Sequence, residues 1–438
     1  MPATTPSEAP EEPVARRSWA LESLTYAEFR LLIAGFAVSH VGTWMQTYAL
    51  GWYVVQLAVR EGTPERAPLY VGLIAGSRGV PVLLVGLVGG AVSDRTDRRR
   101  LLLIVQVIGA SIAGSLAALE LTGNLGLPAL VIATVAAAIV GGFDSPSRIG
   151  MVPSLVPPRA LASAIGLTQG VQNIATVLGP LAGGILLTTA GVGTLLLCTA
   201  SLFLLSIVAI AAMHPLASMP AARAGSVLQT VRDGFDYVRR DPVMAPIFFV
   251  LVVISLTSRP IVQLLPAFAE NRLHVGAIEL SWMLGAAGGG AFAGSLLSAS
   301  LGGVRRQGLL VLLYTGASGS LVLALAAQTT LLPALVLMGL TSVVLQGYVT
   351  SHMVVHQTRA PVEMRGRVIG TSFALGQGSM ALGSLTLGSL AAVAGLDVTL
   401  GVAGGLLLLA SCAMVVRFPR LRDYETAPGP PATSSAAG

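Results

Sequence analysis

At 438 residues the chain has room for about three soluble domains of ordinary size, yet 54% of it is hydrophobic and only 11% charged. A mean hydropathy of +0.78 with 51 glycines argues against a water-soluble enzyme, a disordered chain and a disulfide scaffold. The net charge of +6 comes from 26 arginines without a single lysine. They are scattered in short clusters between apolar runs, which is the pattern of membrane topology and not of a nucleic-acid-binding face.

Crossing a hydrocarbon core of about 30 Å takes about 20 helical residues. Twelve runs meet that need. The first six are Phe29–Ala58, Leu69–Val92, Leu101–Leu121, Leu127–Phe143, Leu161–Thr189 and Gly193–Met213. The last six are Val243–Ala269, Ala277–Leu301, Gly308–Ala327, Leu331–His356, Val368–Ala394 and Val398–Val416. The expected fold is therefore all-α and integral to the membrane, with twelve transmembrane helices. Cys198 and Cys412 fall inside these runs and read as small hydrophobes.

Twelve spans place both termini on one side. That side carries 21 of the arginines, among them the cluster Arg95, Arg98, Arg99 and Arg100, whereas the other carries Arg60, Arg66 and Arg272. The positive-inside rule makes the side of the termini cytoplasmic. Two arginines, Arg78 and Arg259, lie within spans.

The longest polar interval follows the sixth span and divides the chain evenly. Residues 1–28 form an expected cytoplasmic tail, 29–213 a six-helix bundle, 214–242 a linker, 243–416 a second bundle and 417–438 a second tail. Within the linker, Leu228, Val231, Phe235 and Val238 recur at helical spacing against charged neighbours, the pattern of an amphipathic helix lying at the interface. The halves look like copies. A shift of 204 residues pairs Gly86 with Gly290, Gly90 with Gly294, Pro157 with Pro361, Gly179 with Gly383 and Gly184 with Gly388. Parallel six-helix repeats of this kind build many secondary transporters.

Polar residues at helical spacing mark a candidate cavity, because an unsatisfied polar group in lipid is costly. Ser39, Thr43, Gln46 and Tyr53 share a stripe in the first span, and Gln169, Asn173 and Thr176 share one in the fifth. Ser255, Arg259 and Gln263 do so in the seventh span, and Ser342, Gln346 and Thr350 in the tenth. An arginine within a span costs at least about 2.5 kcal/mol. Arg78 and Arg259 therefore either grip an anionic group of a substrate or pair structurally with Glu120, Glu270 or Glu279. No acid sits at the centre of a span. Asp144, four residues before Arg148, and Glu120 are the candidates for exchanging a proton. There is no phosphate-cradling Walker loop, no metal-ligand cluster and no nucleophile constellation, so neither ATP, a cofactor, a metal nor enzyme chemistry is expected.

The loop after the second span reads Gly90-Ala-Val-Ser-Asp94-Arg95-Thr-Asp97-Arg98-Arg99-Arg100. It resembles the signature loop of the major facilitator superfamily. The resemblance implies two pseudo-symmetric six-helix bundles, with Gly90 at the turn and Asp94 as a latch acceptor at the cytoplasmic gate, partnered by Arg95 and Arg98. Asp97 stands where that family usually has glycine, and Ser298 replaces the aspartate in the second copy. Gly179-Pro180-Leu-Ala-Gly183-Gly184 resembles the helix-5 motif of the drug–proton antiporter branches. Three further stretches, Phe29-Arg30-Leu-Leu to Trp44-Met45, Pro146-Ser-Arg148 to Leu161-Ala-Ser-Ala, and Pro361-Val-Glu363-Met-Arg365-Gly366-Arg367, are similar to the group that includes macrolide efflux pumps and the enterobactin exporter. The likeness implies a monomeric transporter of the bacterial inner membrane, in contact with lipid, that exports small organic molecules in exchange for protons. An importer or facilitator of a small anionic solute, and a transporter-shaped sensor, remain the alternatives.

Overall fold

The computed structural model describes residues 19–82, 84–85, 96–214, 227–300, 304 and 306–425; they are helical with short connections, and no strand occurs among them. The first half contributes α1 (Ala27–Arg60), α2 (Ala67–Ser77), α3 (Arg98–Leu121), α4 (Leu127–Leu155) and α5 (Leu161–Ala211). A linker helix, α6 (Val227–Arg240), leads into α7 (Met244–Thr257), α8 (Ile261–Asn271), α9 (Ala277–Ser300), α10 (Gln307–Ala326), α11 (Leu331–Arg359), α12 (Val362–Ala394) and α13 (Leu396–Arg417). A single turn, α14 (Pro419–Arg422), ends the described chain.

The 51 residues of α5 hold two of the expected spans. They turn at Gly191, whose φ of 81° lies in the left-handed region that glycine adopts at no steric cost. Trp44 and Tyr48 of α1 meet Gly179 and Gly183 in rising order, whereas Gly35 and Gly42 meet Ser206 and Leu202 in falling order. The two arms of α5 therefore run in opposite directions. The seventh expected span is likewise divided, into α7 and α8, by a turn at Ser258, Arg259 and Pro260. Eight helical segments among the described residues are long and apolar enough to cross a bilayer, the doubled α5 being one of them. With 34 residues in α1 and 33 in α12, and with α2 leading toward residues outside the described set, the arrangement is compatible with twelve crossings.

Several helices run past the hydropathy boundaries. α4 continues to Leu155 through Pro146 and Pro153, and α12 begins at Val362, before the apolar run at Val368. Hydropathy marks where lipid ends, but helical hydrogen bonding continues into the headgroups. At the start of α3, the Asp97 carboxylate accepts the backbone N–H of Arg99 at 2.9 Å and of Arg100 at 3.3 Å, a helix cap. The side chains pointing away from the bundle are apolar: Ile132, Val208, Leu332 and Leu409 are each about two-thirds exposed, as a lipid-facing surface requires.

The apolar core is asymmetric along the membrane normal. At the end away from the termini, one cluster joins both halves, running from Tyr48, Val54 and Leu195 to Leu265, Phe268 and Leu280. Near the termini the clusters are separate: Phe29, Leu102 and Met151 in the first half, and Val243, Val311 and Leu421 in the second. Hydrogen bonds also tie the far end, from Tyr48 Oη to Ala277 O at 2.5 Å, from Gln56 Nε2 to Glu270 at 3.1 Å and from Asn271 Nδ2 to Pro64 O at 3.0 Å.

The halves touch along α2 with α12 and along α5 with α9. Both seams are built on small residues, which let membrane helices approach closely. A Cβ on Gly72 would lie 2.9 Å from Gly388 Cα, and one on Gly184 would lie 2.5 Å from Ser281 Cβ. Replacing Gly72 or Gly388 by Val should destabilise the folded protein by about 1–3 kcal/mol, as overpacking does. Gly114→Val, where a Cβ meets nothing within 4 Å, should be close to neutral. Thermal unfolding in detergent separates the two classes.

Candidate functional site

A cavity of about 760 Å³ opens between the halves. The first half lines it with Ser39, His40, Thr43 and Gln46 from α1, Arg78 from the turn ending α2, Gln106 from α3, Asp144 from α4, and Thr176 and Pro180 from α5. The second half supplies Arg259, Gln263, Ser342, Gln346 and Gln377. Apolar side chains such as Val54, Ile74, Phe203, Leu284 and Met380 make up much of the remaining wall. Such a mixture suits an organic molecule of modest size with a few polar groups.

Five of the eight residues expected in a substrate cavity share this wall: Gln46, Arg78, Arg259, Gln263 and Gln346. Tyr53 does not; its hydroxyl donates to Leu125 O at 3.0 Å, closing the loop between α3 and α4. Gln169 and Asn173 do not line it either. They stand two turns and one turn nearer the termini than Thr176 on α5. His40, Gln106 and Gln377 also belong to the wall. Gln106 is a lone polar residue in an apolar stretch, and such isolation is what periodicity overlooks.

Arg78 and Arg259 occupy comparable settings. Each sits where a helix is interrupted, Arg78 at the end of α2 and Arg259 between α7 and α8. Among the described residues neither guanidinium has an ion pair or a hydrogen bond. The acids that could have paired with them are elsewhere: Glu270 accepts from Gln56, and Glu120 lies against Gly193. Arg259 lies beside Gly376, where a Cβ would be 3.8 Å from its Nη1 and 3.7 Å from Ser255 Oγ.

Asp144 is held differently. Its carboxylate accepts from Arg148 Nη2 at 2.8 Å and Nε at 3.2 Å, and from Gln106 Nε2 at 3.1 Å. Arg148 is only 3% exposed and stacks over Phe36 at 4.7 Å. The pair satisfies two ionic groups that would otherwise be stranded in the membrane.

The helix-5 motif works by contact. Gly179 packs on Trp44 and the Val41 carbonyl, Gly183 on the Tyr48 ring and Gly184 on Ser281, while Pro180 faces the cavity. Of the expected gate, Gly90, Asp94 and Arg95 lie outside the described residues. Arg98 donates to Gly150 O at 2.5 Å, which ties the start of α3 to α4.

Residues 18–433 match the model of the transmembrane secretion effector family. The chain belongs to that family of the major facilitator superfamily. Among curated relatives, the multidrug efflux pump Tap of Mycobacterium tuberculosis is 28% identical over 409 residues, covering 91% of this chain and 95% of Tap. The enterobactin exporter EntS of Escherichia coli is 26% identical over 435 residues, covering 96% and 99%. Solved structures with the same fold include a D-xylose–proton symporter (TM-score 0.68, 16% identity, 91% of this chain and 99% of that one). The peptide transporter POT is also similar (TM-score 0.71, 15% identity, 91% and 96%). Like other facilitators, this secretion effector is a multi-pass membrane transporter and not an enzyme.

The Asp144–Arg148 pair makes its own prediction. Asp144→Asn leaves a buried guanidinium uncompensated and should cost about 3–5 kcal/mol, whereas Asp144→Asn with Arg148→Met should recover part of that loss. Unfolding of the single and double variants in detergent measures the difference.

Proposed function

We propose that the protein is a secondary active exporter of the bacterial inner membrane, with both termini in the cytoplasm, working by alternating access as a monomer in lipid. The bundles 29–213 and 243–416 rock against each other, and the linker 214–242 spans them at the cytoplasmic surface. The observation that carries the reading is the cavity between the halves, lined by both and holding two guanidinium groups that have no ion pair among the described residues. The apolar core is joined across the halves at the end away from the termini and split at the end bearing them, which fits a transporter poised to load cargo from the cytoplasm.

The cargo is a small organic molecule, mostly apolar, with an acidic group such as a carboxylate or catecholate for Arg78 and Arg259. Multidrug export in Tap and enterobactin export in EntS support that class without naming this chain's substrate. Protons supply the drive. Gly90, Asp94, Arg95 and Arg98 form the cytoplasmic gate, and Gly179, Pro180, Gly183 and Gly184 the pliable packing surface of the fifth span. Asp144 reaches the cavity and Glu120 does not. The same two guanidiniums favour a second reading, uptake or facilitated passage of a small anion.

Efflux from an exporter-deleted bacterial host, with and without a protonophore, tests the proposal against a panel of acidic siderophores, macrolides and dyes. Export of the acidic cargo should stop with the protonophore. It should fall roughly tenfold in Arg78→Gln and in Arg259→Gln, each of which removes a charge-assisted bond worth about 1.5–3 kcal/mol. Export that ignores both arginines would assign them to structure, and net accumulation of the acid would favour the second reading.

A further inference from the structure

Helix α11 carries Tyr348, His352 and His356 at four-residue spacing, so their rings follow one another along one face. All three are buried, at 2%, 4% and 0% exposure. The Tyr348 and His352 ring centroids are 5.4 Å apart and those of His352 and His356 only 4.0 Å, and Phe248 of α7 closes the row on His356 at 4.9 Å. Among the described residues, both ring nitrogens of His356 and the Tyr348 hydroxyl lack a hydrogen-bond partner, as does Ser255 Oγ on α7. His352 Nε2 has one contact, Ser372 Oγ of α12 at 3.4 Å. Buried polar atoms left this way are rare and call for an explanation.

The internal repeat sharpens the point. The shift of 204 residues that superposes the halves pairs Asp144 with Tyr348 and Arg148 with His352. The first half fills this place with an ion pair, although Arg148 Nη1 has no partner among the described residues, and protonating Asp144 would strand the buried Arg148. The second half fills it with groups that have no counter-charge to lose. Two imidazoles at 4.0 Å can take up one positive charge between them, since a second would meet direct repulsion. Arg259 lies on the cavity wall, beside Gly376 and Ser255.

We infer that the His352–His356 pair holds the coupling proton of the C-terminal half, one proton for the two rings. The proton comes from water onto an imidazole nitrogen and leaves by the same bond, so nothing else is consumed. This inference rests on the proton-driven reading above. The charged and titratable groups near the pair are Arg259 from the α7–α8 turn, Tyr348 on α11 and Tyr314, which packs on Gly347 from α10. The Arg359–Asp241 ion pair stands at the cytoplasmic end. From α12 comes the neutral Ser372, and the one charged residue of α9, Glu279, lies at that helix's other end.

The chain has five histidines, so replacing His40, His214 and His274 by Gln leaves the pair alone. Nitrogen-15 NMR of the histidine-labelled protein in lipid nanodiscs then follows both rings directly. The expected result is a single one-proton step shared by the two rings. His356→Gln should leave one independently titrating ring. Two full independent steps, or no protonation before the fold is lost, would each overturn the inference. Cargo movement in vesicles is a separate readout. A shared step in a protein whose transport ignores an imposed proton gradient would keep the proton site and reject the proton-driven exporter.

Discussion

Lipid offers no hydrogen bonds, and most of this structure follows from that constraint. Any polar group in a span must find a partner in the protein or face water inside it. The buried carboxylate–guanidinium contact of Asp144 with Arg148 takes the first course. Arg78 and Arg259 take the second, each placed where its helix breaks and turned to the cavity between the halves. Charge, helix interruption and cavity are thus one arrangement. Two arginines unpaired in a membrane protein need a wet chamber, and a wet chamber between two bundles is what a transporter uses.

The seams around that chamber are made of glycine because the bundles must be close and yet able to shift. Gly72 against Gly388, and Gly184 against Ser281, bring backbones together with no side chain between them. Interlocked leucines would hold one arrangement firmly. Small residues give a smooth surface on which one bundle can rotate against the other. The apolar core is continuous across the halves at one end and split at the other, so the state described is one of the two such a rotation would connect.

Much of the fold was legible because the bilayer imposes a simple length rule. Twelve apolar runs, a central polar linker and an arginine bias could be read by counting, and the Gly179–Gly184 motif announced close packing. What escaped had specific causes. Hydropathy could not see α4 passing through Pro146 and Pro153, since backbone bonding does not stop at the lipid boundary. Periodicity put Tyr53 on the cavity stripe, but its hydroxyl found the Leu125 carbonyl instead. Gln106 stands alone in its apolar stretch, so no stripe pointed to it. His352 and His356 read from the sequence as packing or solvated residues near a helix end, and only the structure shows them buried ring against ring.

The central claim is that the two halves alternate access by rocking about the α2–α12 and α5–α9 seams. Distances between paired spin labels test it most directly, with the native cysteines replaced. One pair, Glu65→Cys with His274→Cys, reports the end where the core is continuous. The other, Arg100→Cys with Gln357→Cys, reports the end bearing the termini. The account predicts two distance populations at each end that shift in opposite directions when acidic cargo or pH is changed. Single, unchanging distances at both ends would contradict it.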